Sequence, residues 1–351
     1  ICYFLCYSFS EEILINSYLT GNQRDPNTAY NSLGDFVIVW KSELSNNGQS
    51  EIRVRSFNNS INPITEEIAV SQQNAINESP RVAMNEENNV MTIKTVQIQP
   101  IRNMITAIKD ILTDATITFT KEGMKIINFD KTHTILVNVT LNSHKFEQYT
   151  CDPEKIIVCT NTLHLFKVIS TMSNDDTLSM YIDKADYHDG VVSHLGLQYD
   201  NGNIKQCYCQ KLRLIDPDME ELVVPDVEYS TIINLPTTDF QKIIRDLNGI
   251  SDRIEIKSVG NDLIFSCEGN FASSKIYRSE SDGNMEFIQK NDASVIIQGE
   301  FSLKSLSHFI KCTPLCTHLE MYLGNDLPLI VKYDVASLGS SMLCLAPLPP
   351  A

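Results

Sequence analysis

The chain has ten cysteines but lacks any C-x-x-C pair, the spacing on which many zinc sites and redox-active disulfides depend. Cys312 and Cys316 lie four residues apart with His308 and His318 nearby, but Pro314 breaks the helical register between them. Scattered cysteines without a pairing pattern are typical of buried thiols in a reducing compartment. The sequence therefore predicts no metal site and no cofactor.

Catalytic motifs are also missing. The chain contains no Walker loop, no G-x-G-x-x-G, no H-E-x-x-H and no G-x-S-x-G. His133 could act as a general base, but no nucleophile accompanies it in the sequence. The acidic stretches 173–176 and 216–218 lack the spacing of a calcium loop and are interpreted as turns. We therefore expect a protein without enzymatic activity.

Positive charge is scarce, since 28 Lys and Arg stand against 44 Asp and Glu and the net charge is −16. The summed field of such a chain repels phosphate, so any contact with nucleic acid must come from a local basic surface. The apolar opening ICYFLCYSF is far shorter than the roughly 20 residues that span a bilayer. It also lacks the basic start of a signal peptide, so no membrane association is expected.

Residues 1–90 have a composition of their own. Strand patterns at 35–40 and 51–57 are separated by Asn-rich turns, and Pro26-x-x-Ala29 recurs as Pro80-x-x-Ala83. Residues 20–85 thereby resemble a repeat unit of secreted bacterial surface proteins. Only one repeat and the start of another are present, and such units need neighbours to bury their faces. We interpret residues 1–90 as a gene fusion or a mis-joined gene rather than as a working adhesive module.

From residue 91 onward the chain repeats one pattern. Pro100 opens a predicted helix, and Pro236 opens its counterpart 136 residues later. A β-hairpin follows each helix, with Gly123 and Gly260 at the turns, and second helices are predicted at 161–171 and 302–312. The apolar stripe of the helix at 161–171 is predicted from Leu163, Phe166, Val168 and Ile169. Many short strands with one-sided helices predict an α+β fold of two duplicated domains, preceded by an all-β partial repeat.

The predicted helices are more basic than the rest of the chain, because within them Lys and Arg outnumber Asp and Glu. Such charges often serve only solvation, but their concentration on equivalent helices of a repeat suits a surface that faces phosphate. Few aromatic residues are interleaved, so the expected contact is with the backbone of a nucleic acid, independent of sequence and sensitive to salt. The basic residues are Arg102, Lys109, Lys167, Lys242, Arg245, Lys304 and Lys311.

Between the two copies lies Leu212–Tyr229, an acidic stretch with an apolar centre at Leu222–Val224. Pro217 and Pro225 remove backbone donors and fix φ, which excludes a regular helix or a central strand through this stretch. We interpret it as a linker that carries a short hydrophobic plug.

Residues 91–348 contain several specific motifs, namely AIKDI at 107–111, NFDKTH at 128–133, LVVPDVEY at 222–229, NDLPL at 325–329 and LAP at 345–347. With these motifs the stretch resembles the proliferating cell nuclear antigen family of DNA sliding clamps over essentially the whole family length. The resemblance implies a DNA-clamp fold with one domain at 91–211 and another at 229–348. It also implies an interdomain connecting loop at 212–228 and a tail at 349–351.

The resemblance implies a function as well. Family members form a homotrimeric ring that encircles double-stranded DNA, with helices lining the hole and sheets outside. The ring tethers DNA polymerase, the clamp loader and other replication and repair factors through a short docking motif, and it has no enzymatic activity. The expected compartment is the nucleus, or a viral replication compartment.

The resemblance also assigns residues. The DNA-facing positions carried over are Arg102, Lys109, Lys167, Lys205, Lys242, Arg245 and Lys311. The pocket for the partner peptide carries over onto Phe129, His133, Leu136, Leu222, Val224, Pro225, Tyr229, Pro328, Ala346 and Pro347. An apolar groove of this kind would accept a helical turn with aromatic anchors.

The sequence departs from the family at two informative positions. Gly260 stands where the family has a modifiable lysine, which puts regulation by ubiquitin at that site in doubt. Cys344 stands where an aromatic usually precedes the last Leu-Ala-Pro, and this should loosen one side of the pocket. Two alternatives remain open at this point: a monomeric clamp-like accessory protein, and a secreted structural or adhesive repeat protein defined by residues 20–85.

Overall fold

The computed structural model describes residues 3–4, 13–17, 21–30, 35–43, 50–58, 62–71, 79–82, 89–201, 206–216, 222, 227–281, 284–290, 292 and 294–349. The chain divides into two compact units, residues 1–88 and residues 89–351. Within the described ranges, no helix is both long and apolar enough to cross a bilayer.

The smaller unit is built from antiparallel strands around one tryptophan. Its strands are β1 (Tyr3–Phe4), β2 (Ile13–Leu14), β3 (Gln23–Tyr30), β4 (Phe36–Glu43), β5 (Ser50–Phe57) and β6 (Ile68–Ala69). β1 pairs with β2, and the other four form a sheet in the order β3-β4-β5-β6. Trp40 is fully buried against Ile15, Ile38 and Phe57, and its indole donates to Gln23 Oε1 at 2.8 Å. β4 and β5 overlap the strand patterns predicted at 35–40 and 51–57, with β4 beginning one residue later than predicted.

The larger unit begins with the first copy of the repeat. Its strands are β7 (Asn89–Thr95), β8 (Asp114–Thr120), β9 (Gly123–Phe129), β10 (Ile135–Asn142), β11 (Gln148–Cys151), β12 (Lys155–Asn161), β13 (Thr177–Asp183), β14 (Tyr187–His188), β15 (Val191–Val192), β16 (His194–Asn201) and β17 (Gln206–Arg213). Its helices are α1 (Ile98–Ile108) and α2 (Thr162–Ile169), with short 3-10 helices at Ser143–Lys145 and Lys184–Asp186.

The second copy follows in the same element order, except that its described residues include no counterpart of β14 and β15. Its strands are β18 (Thr231–Pro236), β19 (Arg253–Val259), β20 (Asp262–Glu268), β21 (Ser273–Ser279), β22 (Glu286–Gln289), β23 (Ile296–Ser302), β24 (His318–Leu323), β25 (Leu329–Val335) and β26 (Gly339–Leu345). Its helices are α3 (Thr237–Asn248) and α4 (Leu303–Phe309), and a 3-10 helix at Ile310–Leu315 continues α4.

The two copies share one sheet. Nine antiparallel strands lie in the order β12-β8-β9-β10-β26-β25-β24-β18-β22, and the copies meet where β10 pairs with β26 from Ile135–Leu345 to Leu141–Gly339. A five-stranded sheet, β11-β7-β13-β16-β17, completes the first copy, and a four-stranded sheet, β21-β20-β19-β23, completes the second. One continuous apolar core lies under both copies and contains residues from all four helices.

The helices differ in detail from the prediction. α1 begins at Ile98, so Pro100 is its third residue, where the helix still needs no backbone donor. Pro236 is the N-cap of α3 rather than its first residue. In α2 the core side is formed by Thr162, Leu165 and Ile169, whereas Leu163 is 48% exposed, so its assignment to the apolar stripe was wrong.

The linker begins later than predicted. Leu212 and Arg213 are the last residues of β17, and Ile215 then pairs with Cys159 as an isolated bridge. Pro217 and Pro225 exclude strand only in their own surroundings, so they could not indicate that β17 ends at Arg213. Leu222 is half-buried, while Val223–Asp226 lie outside the described residues.

Candidate functional site

The face of the nine-stranded sheet that points away from the helices carries an apolar row. β10 alternates buried and half-buried side chains, with Ile135, Val137 and Val139 in the core and Leu136 on the opposite face. Strand register places one residue from each of six neighbouring strands side by side. This row consists of Phe129, Leu136, Cys344, Ile330, Tyr322 and Ile232. It crosses the junction between the two copies, so neither copy forms it alone.

Tyr229 anchors the second half of the row. Its ring packs edge-to-face on Tyr322 with centroids 5.8 Å apart and lies against Ile330 and Cys344. Its hydroxyl donates to the carbonyl of Pro328 at 2.9 Å, and burial raises the pKa of this phenol to about 12. Tyr229 therefore fixes the point where the linker enters β18.

A loop after β9 shapes the other end of the row. The Asp130 carboxylate accepts hydrogen bonds from the backbone of Thr134 at 2.8 Å and Ile135 at 2.7 Å. These bonds hold His133 at a positive φ of 54°, with its ring 5.5 Å from that of Phe129. Partial burial would raise the pKa of Asp130, but its hydrogen bonds outweigh this and keep the pKa below its usual value.

The structure brings most of the predicted pocket residues together. Phe129 and His133 are exposed, Leu136 is half-buried, and Pro328, Ala346 and Pro347 are exposed. Ala346 donates its backbone N–H to Thr134 at 3.0 Å, which joins the C-terminal segment to the His133 loop. Val224 and Pro225 lie outside the described residues. Ile330, Tyr322 and Ile232 were missed, although strand alternation within 318–331 and 231–236 places them on this face.

Cys344 lies at the centre of the row, directly between Leu136 and Ile330. Its thiol is buried, which raises its pKa to about 11, so it remains protonated at neutral pH. Cys344 belongs to one apolar cluster with Tyr229 and Ile330, and Leu136 packs against that cluster. The looser pocket expected from Cys344 stays a prediction.

The row has a polar border. One step further along the same strands, Met342 lies between Asn138 and Lys332, and Lys332 in turn faces Glu320. Lys332 Nζ is 3.0 Å from Glu320 Oε2. The change from an apolar row to an ion pair limits the apolar surface to a strip.

The helix layer holds the basic residues. Lys167, Lys242, Arg245 and Lys311 are exposed, Lys304 on α4 is exposed with them, and Arg102 and Lys109 are half-buried. Lys205 lies outside the described residues. The Arg102 guanidinium donates to the carbonyl of Met172 at 2.6 Å and to Asn174 Oδ1, so this side chain is engaged by the loop after α2.

The cysteines and histidines near α4 are engaged by burial and by hydrogen bonds within the fold. Cys312 is fully buried, which raises its pKa to about 12, and the Cys316 thiol donates to the His318 carbonyl at 3.0 Å. His308 is half-buried, and burial lowers its pKa. Across the described ranges, no group of three or more His, Cys, Asp and Glu residues is arranged to hold a metal ion.

The duplicated α+β architecture, with helices on one side of a sheet shared by both copies, defines a DNA clamp. Residues 90–221 match the family described as proliferating cell nuclear antigen, N-terminal domain, and residues 223–348 match its C-terminal domain. The chain is 31% identical over 269 residues to "Probable DNA polymerase sliding clamp 1" of Paramecium bursaria Chlorella virus 1, an alignment that covers 76% of this chain and 99% of the relative. The chain belongs to the proliferating cell nuclear antigen family and is a DNA sliding clamp.

Proposed function

We propose that the chain acts as a homotrimeric ring that encircles double-stranded DNA and tethers DNA polymerase and other replication and repair factors. The helix layer faces the DNA, and the apolar row on the opposite sheet face receives the docking segment of each partner. The ring holds its partners on DNA without catalysing a reaction. It works where DNA is replicated, in a nucleus or a viral replication compartment.

The observation that carries this proposal is the junction between the two copies. By position in their sheets, β10 of the first copy corresponds to β21 of the second, and β17 corresponds to β26. Inside the chain β10 pairs with β26. The corresponding strands β21 and β17 end their sheets, with no further strand beside them in the described part of the chain. Pairing of β21 in one chain with β17 in the next chain would form, between molecules, the same junction that β10 and β26 form within one.

Such a contact uses different surfaces on the two partners. It produces a closed ring when the rotation from one chain to the next is a whole-number fraction of a full turn. β17 and β21 are eight and seven residues long, and Tyr208 and Tyr277 on them are 47% and 58% exposed. Open edges of this length are costly for a lone chain because they pair with other strands. Three chains with two equivalent copies each would give six similar junctions.

The DNA contact is tested with Lys242→Glu combined with Arg245→Glu, since both residues are exposed on α3. We expect the affinity of the full chain for a duplex to fall about tenfold in low salt, with a shallower salt dependence, because phosphate contacts are lost. The matched control is Lys145→Glu combined with Lys184→Glu, two exposed lysines in the short 3-10 helices outside the helix layer. Equal weakening by the control pair would contradict the assignment of the helix layer to DNA.

The docking surface is tested with Leu136→Ser. Leu136 lies within the apolar row, between Phe129 and Cys344, and loss of such an anchor weakens a docked helical turn by about 2 kcal/mol or more. The control is Asn138→Ser, on the same strand and face but one step outside the row. Calorimetry with a short synthetic peptide that carries two aromatic residues on a helical turn should show loss of binding for Leu136→Ser alone. Wild-type affinity in that variant would remove the row from the docking site.

A further inference from the structure

Asp110 places a negative charge on the basic side of the helix layer. It follows the C-cap Lys109 of α1, where the helix dipole presents its negative end and a carboxylate is unfavourable. A carboxylate at this place would also repel DNA phosphate. Nearby positive charges are therefore needed to offset the negative charge of Asp110.

Two lysines supply that compensation. Lys109 Nζ lies 2.8 Å from one Asp110 carboxylate oxygen, and Lys311 Nζ donates to the other. Lys311 belongs to the 3-10 helix that follows α4, so this carboxylate connects the first copy of the repeat to the second. Partial burial would raise the pKa of Asp110, but the two lysines outweigh this and keep the pKa below its usual value. The carboxylate is thus charged at neutral pH.

Lys109 is held from a second side. Its ammonium group lies 4.8 Å from the centre of the Phe166 ring on α2, within the range of a cation–π contact. As a result the Lys109 side chain is 19% exposed, compared with 43% for Lys311. His308 is nearby, and both burial and the charge of Lys311 lower its pKa, so it adds no charge at neutral pH.

The equivalent position in the second copy behaves differently. Asp246 follows Arg245 on α3 as Asp110 follows Lys109, and both Asp246 and Arg245 are exposed. Among the residues that the structure describes, neither of them forms an ion pair. The same sequence motif therefore carries a bridged carboxylate in one copy and a solvated carboxylate in the other.

We propose that Asp110 is an internal competitor of DNA phosphate, which occupies Lys109 and Lys311 and thereby limits how tightly the clamp holds duplex DNA. Each of these lysines must leave the carboxylate before it can pair with a phosphate. The net contribution of the three groups to the DNA-facing surface is one positive charge instead of two. The inference rests on the proposed function, because it assumes that the helix layer faces DNA.

The physical consequence is that the clamp binds duplex DNA more weakly and that its affinity depends less on salt. Affinity for duplex DNA falls with salt in proportion to the number of phosphates that the protein neutralises. A lysine that must leave a carboxylate to pair with a phosphate contributes less binding free energy than a lysine that was unpaired before. Contacts that are weak and easily exchanged let a closed ring move along the duplex, since the ring itself prevents dissociation.

The test is Asp110→Asn in the full chain, measured by fluorescence anisotropy with a duplex over a series of salt concentrations. We expect affinity to rise about three- to tenfold in low salt and the slope of log affinity against log salt to steepen by about one to two. Asp110→Glu keeps the carboxylate and should stay near the wild type. The matched control is Asp246→Asn, which removes the same charge from the equivalent helix without releasing a lysine.

Equal effects of Asp110→Asn and Asp246→Asn would overturn the inference, because net charge alone would then account for both. A double-mutant cycle with Lys311→Ala adds a second criterion, since the effect of Asp110→Asn should shrink once Lys311 is absent. If Lys242→Glu with Arg245→Glu leaves DNA binding unchanged, the proposed function fails and the inference fails with it. If that pair weakens binding while Asp110→Asn leaves affinity and slope unchanged, only the inference fails.

Discussion

At the scale of single residues, Asp130 shows how one carboxylate shapes a docking surface. We predict that Asp130→Asn lowers the free energy of unfolding by about 1–2 kcal/mol at pH 7, because backbone N–H groups lose a charged acceptor. The folded pKa of Asp130 is lowered. Its contribution is therefore present above the ordinary carboxyl pKa of about 3.9 and is lost as pH falls through the folded value.

Urea unfolding of the wild type and of Asp130→Asn between pH 7 and pH 3 measures this contribution. The difference in stability should stay constant from pH 7 to pH 5 and shrink below about pH 4. A difference that persists or grows at pH 3 would mean that the charged carboxylate does not hold the loop.

The two hairpin glycines differ in their surroundings. A Cβ on Gly123 would lie 2.0 Å from the carbonyl oxygen of Leu141, whereas a Cβ on Gly260 would meet nothing within 4 Å. Gly123→Ala should therefore cost about 2–4 kcal/mol, since backbone must move. Gly260→Ala should cost about 1 kcal/mol, the strain of its positive φ of 56°. Thermal unfolding of the two variants side by side checks the order, and equal losses would contradict it.

The buried faces of the helices could be predicted from the sequence, whereas contacts between distant residues could not. The buried stripes of α1 and α3 follow from 3.6-residue spacing, and Phe240, Ile243 and Ile244 are buried as that spacing requires. The bridge from Lys109 through Asp110 to Lys311 could not be predicted, because it joins residues far apart in sequence. The engagement of Arg102 by the loop after α2 is of the same kind.

At the scale of elements, the edge strands decide whether molecules associate. We predict that Tyr277→Glu on β21 turns the assembly into single chains at concentrations where the wild type is associated. A charge in the middle of an open edge opposes pairing with another strand. Light scattering measures the mass, and the control is Val191→Glu, a residue of β15 that is 59% exposed. Dissociation by both variants, or by neither, would contradict a junction at β21.

Elements were largely predictable, whereas their pairing was not. Both hairpins and all four helices lie where periodicity and turn residues put them, with shifts of a few residues at the ends. The equivalent helices α2 and α4 also have the same type of N-cap. Asn161 and Ser302 each accept a hydrogen bond from the backbone N–H three residues later. The pairing of β10 with β26 could not be predicted, because local alternation determines which face a side chain takes but not which strand lies beside it.

At the scale of the whole molecule, the two units have separate cores. Trp40 is the single tryptophan of the chain and is fully buried in the core of residues 1–88. In the described part of residues 1–88 that core consists of Trp40 with Ile15, Ile38 and Phe57, whereas the core of residues 89–351 continues through both copies of the repeat. We predict that tryptophan fluorescence reports an early unfolding transition of the smaller unit, while far-ultraviolet circular dichroism shows a later and larger one. Coincident transitions by both probes would mean that the units unfold together.

The mass of the full chain in solution tests the central claim most directly. The ring proposal depends on β17 and β21 forming, between molecules, the junction that β10 and β26 form within one. Sedimentation equilibrium should give three times the mass of one chain, and the same ratio for residues 89–351 alone. A mass of one chain for both proteins, or of two, would contradict a closed ring of three.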